Sequence, residues 1–238
     1  MGPLTRAMKL RSTAAGTWLF RALLVGLVFA AAASGTAQAG SITFLMDYEF
    51  SGGTPPEGTP PWLAATFDDD GTAGSVVMTL TTTNLPGTEF VREWYFNLDP
   101  TLDPTDLAFS APTKTGTFAD PTVSTGTDAF KADGDGNYDI LVAFDNAPPA
   151  NRFTAGDAVE YTITGIGSLT AASFNFLSAP AGGHGPYLTA AHVQGIGEDG
   201  EDSGWVTTPE PATVALVAGG LAWIALLKKR RPRARKSS

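Results

Sequence analysis

The sequence predicts an all-β chain: a single antiparallel β-sandwich of jelly-roll or Ig-like type, set between an N-terminal signal helix and a C-terminal transmembrane helix. Three observations carry this reading. Apolar and polar residues alternate with period two through most of the interior, as in strands that bury one face. Gly, Pro, Thr, Ser and Asp clusters interrupt that alternation every 8 to 12 residues, the spacing of turns in an all-β domain. Uncharged apolar runs long enough to interest a membrane occur only near the two ends.

Residues 1–39 have the parts of a secretory signal. Arg6, Lys9, Arg11 and Arg21 precede the 12-residue apolar run Ala22–Ala33. That run is too short to cross a bilayer comfortably, which takes about 20 residues. Ala37-Gln38-Ala39 then supplies the small-x-small pattern that a signal peptidase accepts, so the mature chain is expected to start near Gly40.

The body, 40–206, reads as strands. Val76, Met78 and Leu80 share one face, with Ser75, Thr79 and Thr81 mainly on the other. Phe90, Trp94, Phe96 and Leu98 are expected to point one way, with Glu93 and Asn97 opposite. Tyr138, Ile140, Val142 and Phe144 alternate with Asp139 and Asp145; Val159, Tyr161 and Ile163 form another stripe, and Phe174 and Phe176 a shorter one. No helical period with capping signals is present, and no repeat of 20 to 50 residues.

Charge is segregated. The chain holds 15 Lys and Arg against 24 Asp and Glu. Between residues 40 and 208 only Arg92, Lys114, Lys131 and Arg152 are basic, four against 23 acidic residues, a net charge of −19. Such a body repels nucleic-acid phosphates and anionic lipid, so nucleic acid is excluded as a partner. There is no cysteine, which removes disulfides and a thiol nucleophile together.

The strongest candidate for site chemistry is Asp133-Gly-Asp-Gly-Asn-Tyr-Asp139. Asp133, Asp135, Asn137 and Asp139 offer hard oxygens in a Gly-containing loop between two strand patterns, Ala129–Ala132 and Tyr138–Phe144. Calcium takes six to eight such oxygens. The loop is no EF-hand, because Tyr138 and Phe144 stand where Gly and Glu are required. The same residues also favour a bare hairpin turn, so both readings stay open. Asp68-Asp69-Asp70-Gly71 is expected to be a solvated turn.

No catalytic centre is expected. His184 and His192 are read as a loop and a strand residue without further ligands. Glu89 and Glu93 lie four residues apart on one strand, about 13 Å at ~3.3 Å per residue, too far for a glycosidase pair. Trp62, Trp94, Trp205, Tyr95 and Tyr187 are expected mainly in the core. Trp205 is the exception, expected to be exposed or to pin the final strand.

Residues 207–238 have three parts. Pro209-Glu210-Pro211 is stiff and non-helical. Residues 212–227 carry no charge over 16 residues, about 24 Å as a helix. Residues 228–236 then hold seven Lys and Arg, which fixes that end in the cytoplasm by the positive-inside rule.

This order of motif, apolar helix and basic end resembles the PEP-CTERM sorting signal of exported bacterial proteins. The resemblance implies an exosortase substrate of a Gram-negative bacterium that makes exopolysaccharide. It implies a transient stay in the inner membrane, then cleavage and placement at the cell surface, outer envelope or extracellular matrix. Blocks 89–100, 130–140, 173–178 and 191–196 also resemble exported proteins with this signal, a group whose resemblance implies no assigned reaction. The expected role is a structural or adhesive, non-catalytic surface or exopolysaccharide-matrix protein. The alternatives are a carbohydrate-binding module and, behind it, a secreted hydrolase.

Overall fold

A computed structural model of the chain describes residues 40–209. The signal segment 1–39, the apolar run 212–227 and the basic end fall outside the described residues, as do Glu210 and Pro211. Among the described residues no helix is long and apolar enough to cross a membrane.

The described chain forms β1 (Ser41–Met46), β2 (Tyr48–Glu49), β3 (Leu63–Asp68), β4 (Val76–Thr82), β5 (Phe90–Phe96), β6 (Ala108–Phe109) and β7 (Thr113–Thr115). It continues with β8 (Thr122–Ala132), β9 (Asp135–Ala143), β10 (Phe153–Thr154), β11 (Ala158–Thr164), β12 (Thr189–Ile196) and β13 (Asp202–Thr207). Its only helical pieces are short 3-10 turns at Pro104–Asp106, Pro149–Asn151 and Ala171–Phe174. One sheet has the order β1-β3-β4-β11-β6, with β7 also on β11. The other has the order β2-β13-β12-β5-β9-β8, with β10 also on β5. All these pairings are antiparallel.

The alternation read from the sequence builds the core. On β4, Val76, Met78 and Leu80 are fully buried while Val77, Thr79 and Thr81 are half-buried. Ile140 and Val142 of β9, and Val159, Tyr161 and Ile163 of β11, enter the same core. Phe67 of β3 joins the two inner faces: its ring lies 5.3 Å from Phe96 of β5 and stacks at 4.3 Å on Phe174. A second, smaller cluster gathers Phe50, Tyr95, Ala132, Tyr138 and Ala190.

Two expectations are corrected. On β5 a register shift between His192 and Val193 leaves Arg92 as an extra residue, since these two pair with Glu93 and Val91. A bulge of this kind breaks simple alternation. Val91, Trp94 and Phe96 therefore enter the main core, while the Phe90 ring lies 4.1 Å under the Arg152 guanidinium. Asn97, expected outside, is 2 % exposed. Phe174 and Phe176 do not form a strand. Thr170 and Ser173 make a capping box that winds Ala171–Phe174 into a 3-10 turn, and Phe174 is buried by it.

Candidate functional site

The segment 133–139 is the meeting point of three loops. Asp133 and Gly134 have φ of 52° and 78°, and Ala132 pairs directly with Asp135. Two consecutive positive φ values make the primed two-residue turn that suits the twist of a hairpin. The loop is thus shorter than the sequence implied, and Asp135, Asn137 and Asp139 already belong to β9.

Each of these side chains or its backbone holds another part of the chain. The Asp135 carboxylate, 7 % exposed, accepts the backbone N–H groups of Gly183 and His184, and His184 Nδ1 lies 3.4 Å from its other oxygen. Asn137 exchanges backbone hydrogen bonds with Ala179, and Gly136 donates to the Ala181 carbonyl. Asp139 accepts from Leu98 N at 2.9 Å and from Asp128 N at 2.8 Å. Asp128 has a φ of 51°, so Asp139 satisfies the N–H that this kink takes off the ladder. Gly182, at a φ of 71°, passes so close that a Cβ there would stand 1.9 Å from Asp135 Oδ1.

Asp135 and Asp139 face different loops and lie about 13 Å apart along the strand at ~3.3 Å per residue. Among the described residues no three His, Asp or Glu side chains gather round one point. Removing the Asp135 carboxylate takes the acceptor from two part-buried backbone N–H bonds, each worth about 1–3 kcal/mol at most where water cannot replace it. Asp135→Ala is therefore expected to lower stability by about 2 kcal/mol in urea unfolding, and to make residues 178–187 the first site of proteolytic nicking.

Beside Asp139 opens a groove of about 570 Å³. Its rim comes from the loop after β5, the Asp128 kink of β8 and residues 176–180. Asp99, Asp103, Asp128 and Asp139 supply carboxylates, while Phe176 and Leu177 supply apolar surface. Leu177 is 53 % exposed. Hydrogen bonds from Thr101 and Thr105 hold the Asp99 and Asp103 carboxyls below the usual range, so both stay charged in mild acid. Asn97 lines the groove from within and donates to the Tyr187 and Leu188 carbonyls. Sequence reading missed this groove because its parts come from four separate segments.

The second sheet places the remaining candidates. His192 and Trp205 are cross-strand partners and stack at 4.4 Å, 3° from parallel. Tyr95 lies 5.7 Å from Trp205 and donates its hydroxyl to Glu93 at 2.8 Å. Burial lowers the His192 pKa, against the pull of Glu93, so the ring is neutral near pH 7. Trp205 is half-buried on the last strand. Trp62 and Trp94 are core residues whose indole N–H groups reach Gly58 O and Thr189 Oγ1. His184 lies in the loop tied by Asp135.

Glu89 and Glu93 occupy different environments. Glu93 is on the outer side with Tyr95 and Arg92. Glu89 is 2 % exposed; one of its oxygens accepts Glu57 N and the other has no donor among the described residues. Burial raises its pKa above the usual carboxylate range. A raised carboxyl favours the folded state while protonated, and that contribution is lost as pH rises from the unfolded value of about 4.3 through the folded one. Glu89→Gln is expected to flatten the fall in stability that begins as pH rises above about 4.3, read as urea midpoints.

The described residues define an all-β domain of two antiparallel sheets with an acidic groove beside Asp139 of β9. No family model matches the chain, and no curated protein matches it. Among solved structures the chain is similar to biomass-sensing modules from Rsgi-like proteins of Clostridium thermocellum. These are described as resembling the family 3 carbohydrate-binding module of the cellulosome. The match covers 73 % of this chain and 100 % of that chain at 9 % identity, with a TM-score of 0.31. At that score the likeness carries no argument about fold or function.

Proposed function

We propose that the chain is an exported cell-surface or exopolysaccharide-matrix protein with a structural or adhesive, non-catalytic β-sandwich of jelly-roll or Ig-like type. A signal peptidase removes 1–39, and an exosortase acts on the signal at 207–238 through Pro209, Glu210 and Pro211. Residues 212–227 hold the chain transiently in the inner membrane. The observation that carries the reading is how the body uses its charge. Asp69, Asp135 and Asp139 each spend their carboxylate on backbone N–H groups from distant segments, the wiring of a durable scaffold without cysteine. Surface labelling of the host with and without its exosortase tests this. The labelled protein should be the shortened form only when the exosortase is present; equal labelling of the full-length chain in both strains contradicts it.

A second reading, a carbohydrate-binding module, is favoured by the groove at Asp99, Asp103 and Leu177. Carboxylates accept pairs of sugar hydroxyls, and exposed apolar side chains take the C–H face of a ring. Saturable binding to one polysaccharide on a glycan array, weakened by Leu177→Ser, supports it; no binding to any glycan removes it. A secreted hydrolase stands behind these two.

Calcium at Asp133, Asp135, Asn137 and Asp139 also stands as a proposal. As folded, the four side chains do not form one ligand set, so an ion there would have to draw Asp135 or Asp139 away from its amides. Saturable heat and a raised Tm at millimolar calcium support it; a flat titration removes it.

A further inference from the structure

We propose that Asp69 is the receptor for the new N-terminus that signal cleavage creates, so that export itself completes an ion pair in the fold. This inference rests on the leader reading and goes beyond it. Cleavage after Ala37-Gln38-Ala39 leaves Gly40 as the first residue. In the full chain the Gly40 nitrogen is an amide, and it stands 2.8 Å from Asp69 Oδ1. After cleavage the same atom is the α-ammonium, already within contact of a carboxylate.

The site is built to hold that residue. Asp69 is 8 % exposed. Its Oδ1 also accepts Gly71 N at 2.9 Å, and its Oδ2 accepts Ala171 N at 3.0 Å. Asp69 N in turn donates to Gly40 O at 3.0 Å, so residue 40 is gripped at both ends. Beyond it, Ser41 starts β1 in register with Asp68. A Cβ on residue 40 would stand 3.0 Å from Asp69 Oδ2, which suits glycine as the first residue.

The surrounding charges favour a cation. Asp68 and Asp70 flank Asp69 in the same turn, and Asp70 N donates to Asp68 Oδ1. The elements packed on the turn, β1, β4 and the Ala171–Phe174 turn, carry no Lys, Arg or His. None of the salt bridges formed by the described residues involves Asp69. Among the described residues the carboxylate has no cationic partner. An ammonium gains over an amide because hydrogen bonds between two charged groups are the strong ones.

A folded-state carboxylate partner raises the α-amino pKa above its unfolded value of about 7.7–8.0. The added stability is full below that value and is lost as pH rises through the folded one.

The test compares the processed protein purified from its host with a version carrying one extra Ala between Ala39 and Gly40. That version matures with a residue ahead of Gly40 and keeps both the amide bond and Asp69. Intact mass first fixes each N-terminus. The Gly40 form is expected to have an unfolding constant about tenfold smaller at pH 7, one pKa unit's worth. That advantage should close between about pH 8 and 10. Reaction of its amine with cyanate at pH 7 should also be slower than in the extended form. Equal stability across that range, with Gly40 confirmed as first residue, overturns the ion pair and leaves the leader reading intact. A mature chain that begins elsewhere overturns both.

Discussion

Phe67→Ala is expected to lower the unfolding free energy by about 4 kcal/mol, the range of a buried Phe truncation that leaves a cavity. Phe67 is fully buried and touches aromatic rings on both sides of the core. Phe44 and Phe174 stand at 6.0 and 4.3 Å, and Phe96 of the opposite sheet at 5.3 Å. Aromatic pairs of this geometry add to the area they bury. Phe44 and Phe96 are held by strands and Phe174 by the 3-10 turn, so the hole cannot fill without moving one of these elements. Phe67→Leu, which keeps most of the volume, should cost less than half as much. The measurement is the urea midpoint at constant m-value, since a changed m-value would report a changed native compactness instead. A loss below about 1 kcal/mol would mean that the two sheets do not share this core.

Asp69→Ala is expected to cost about 3 kcal/mol near neutral pH. Its carboxylate serves Gly40, Gly71 and Ala171, the last 102 residues away in the chain. Buried donors stranded by the loss of a partner cost about 1–3 kcal/mol each, and the turn can rehydrate some of them. These backbone hydrogen bonds, that from Gly40 foremost, hold the Asp69 pKa below its ordinary value. A depressed carboxyl stabilises above its unfolded pKa of about 3.9, and that contribution disappears as pH falls through the folded value. The gap between wild type and Asp69→Ala should therefore narrow as pH falls below about 3.9. A constant gap down to pH 2 would show that shape, not charge, is what Asp69 contributes.

The turn 68–71 illustrates where sequence reading succeeded and where it stopped. Asp70 and Gly71, both with positive φ, make the turn that an Asp-Asp-Asp-Gly run foretells. Nothing local distinguishes Asp69 from its neighbours, because its role depends on Ala171 arriving from the far end of the chain. The solvated turn expected for all three is corrected for Asp69 alone. Strands β4, β9 and β11 were legible because their stripes alternate without interruption. The β5 bulge was not, since Phe90 and Val91 are both apolar and the sequence does not show which of them continues the inward stripe of Trp94 and Phe96. In the segment 133–139 the hairpin was legible from Gly134 and its flanks. The binding of residues 178–187 to it was invisible, because Asp135 reaches amides 48 and 49 residues away. Trp205 was expected to be exposed or to pin the final strand; it is half-buried and stacks on His192.

We propose that maturation releases this acidic β domain from two targeting ends. Intact mass of the protein isolated from the host's surface or matrix tests it most directly. The expected species begins at Gly40 and ends at or near Pro209-Glu210-Pro211, without the apolar run and basic end. A mass that extends from Met1, or through Ser238, would contradict it.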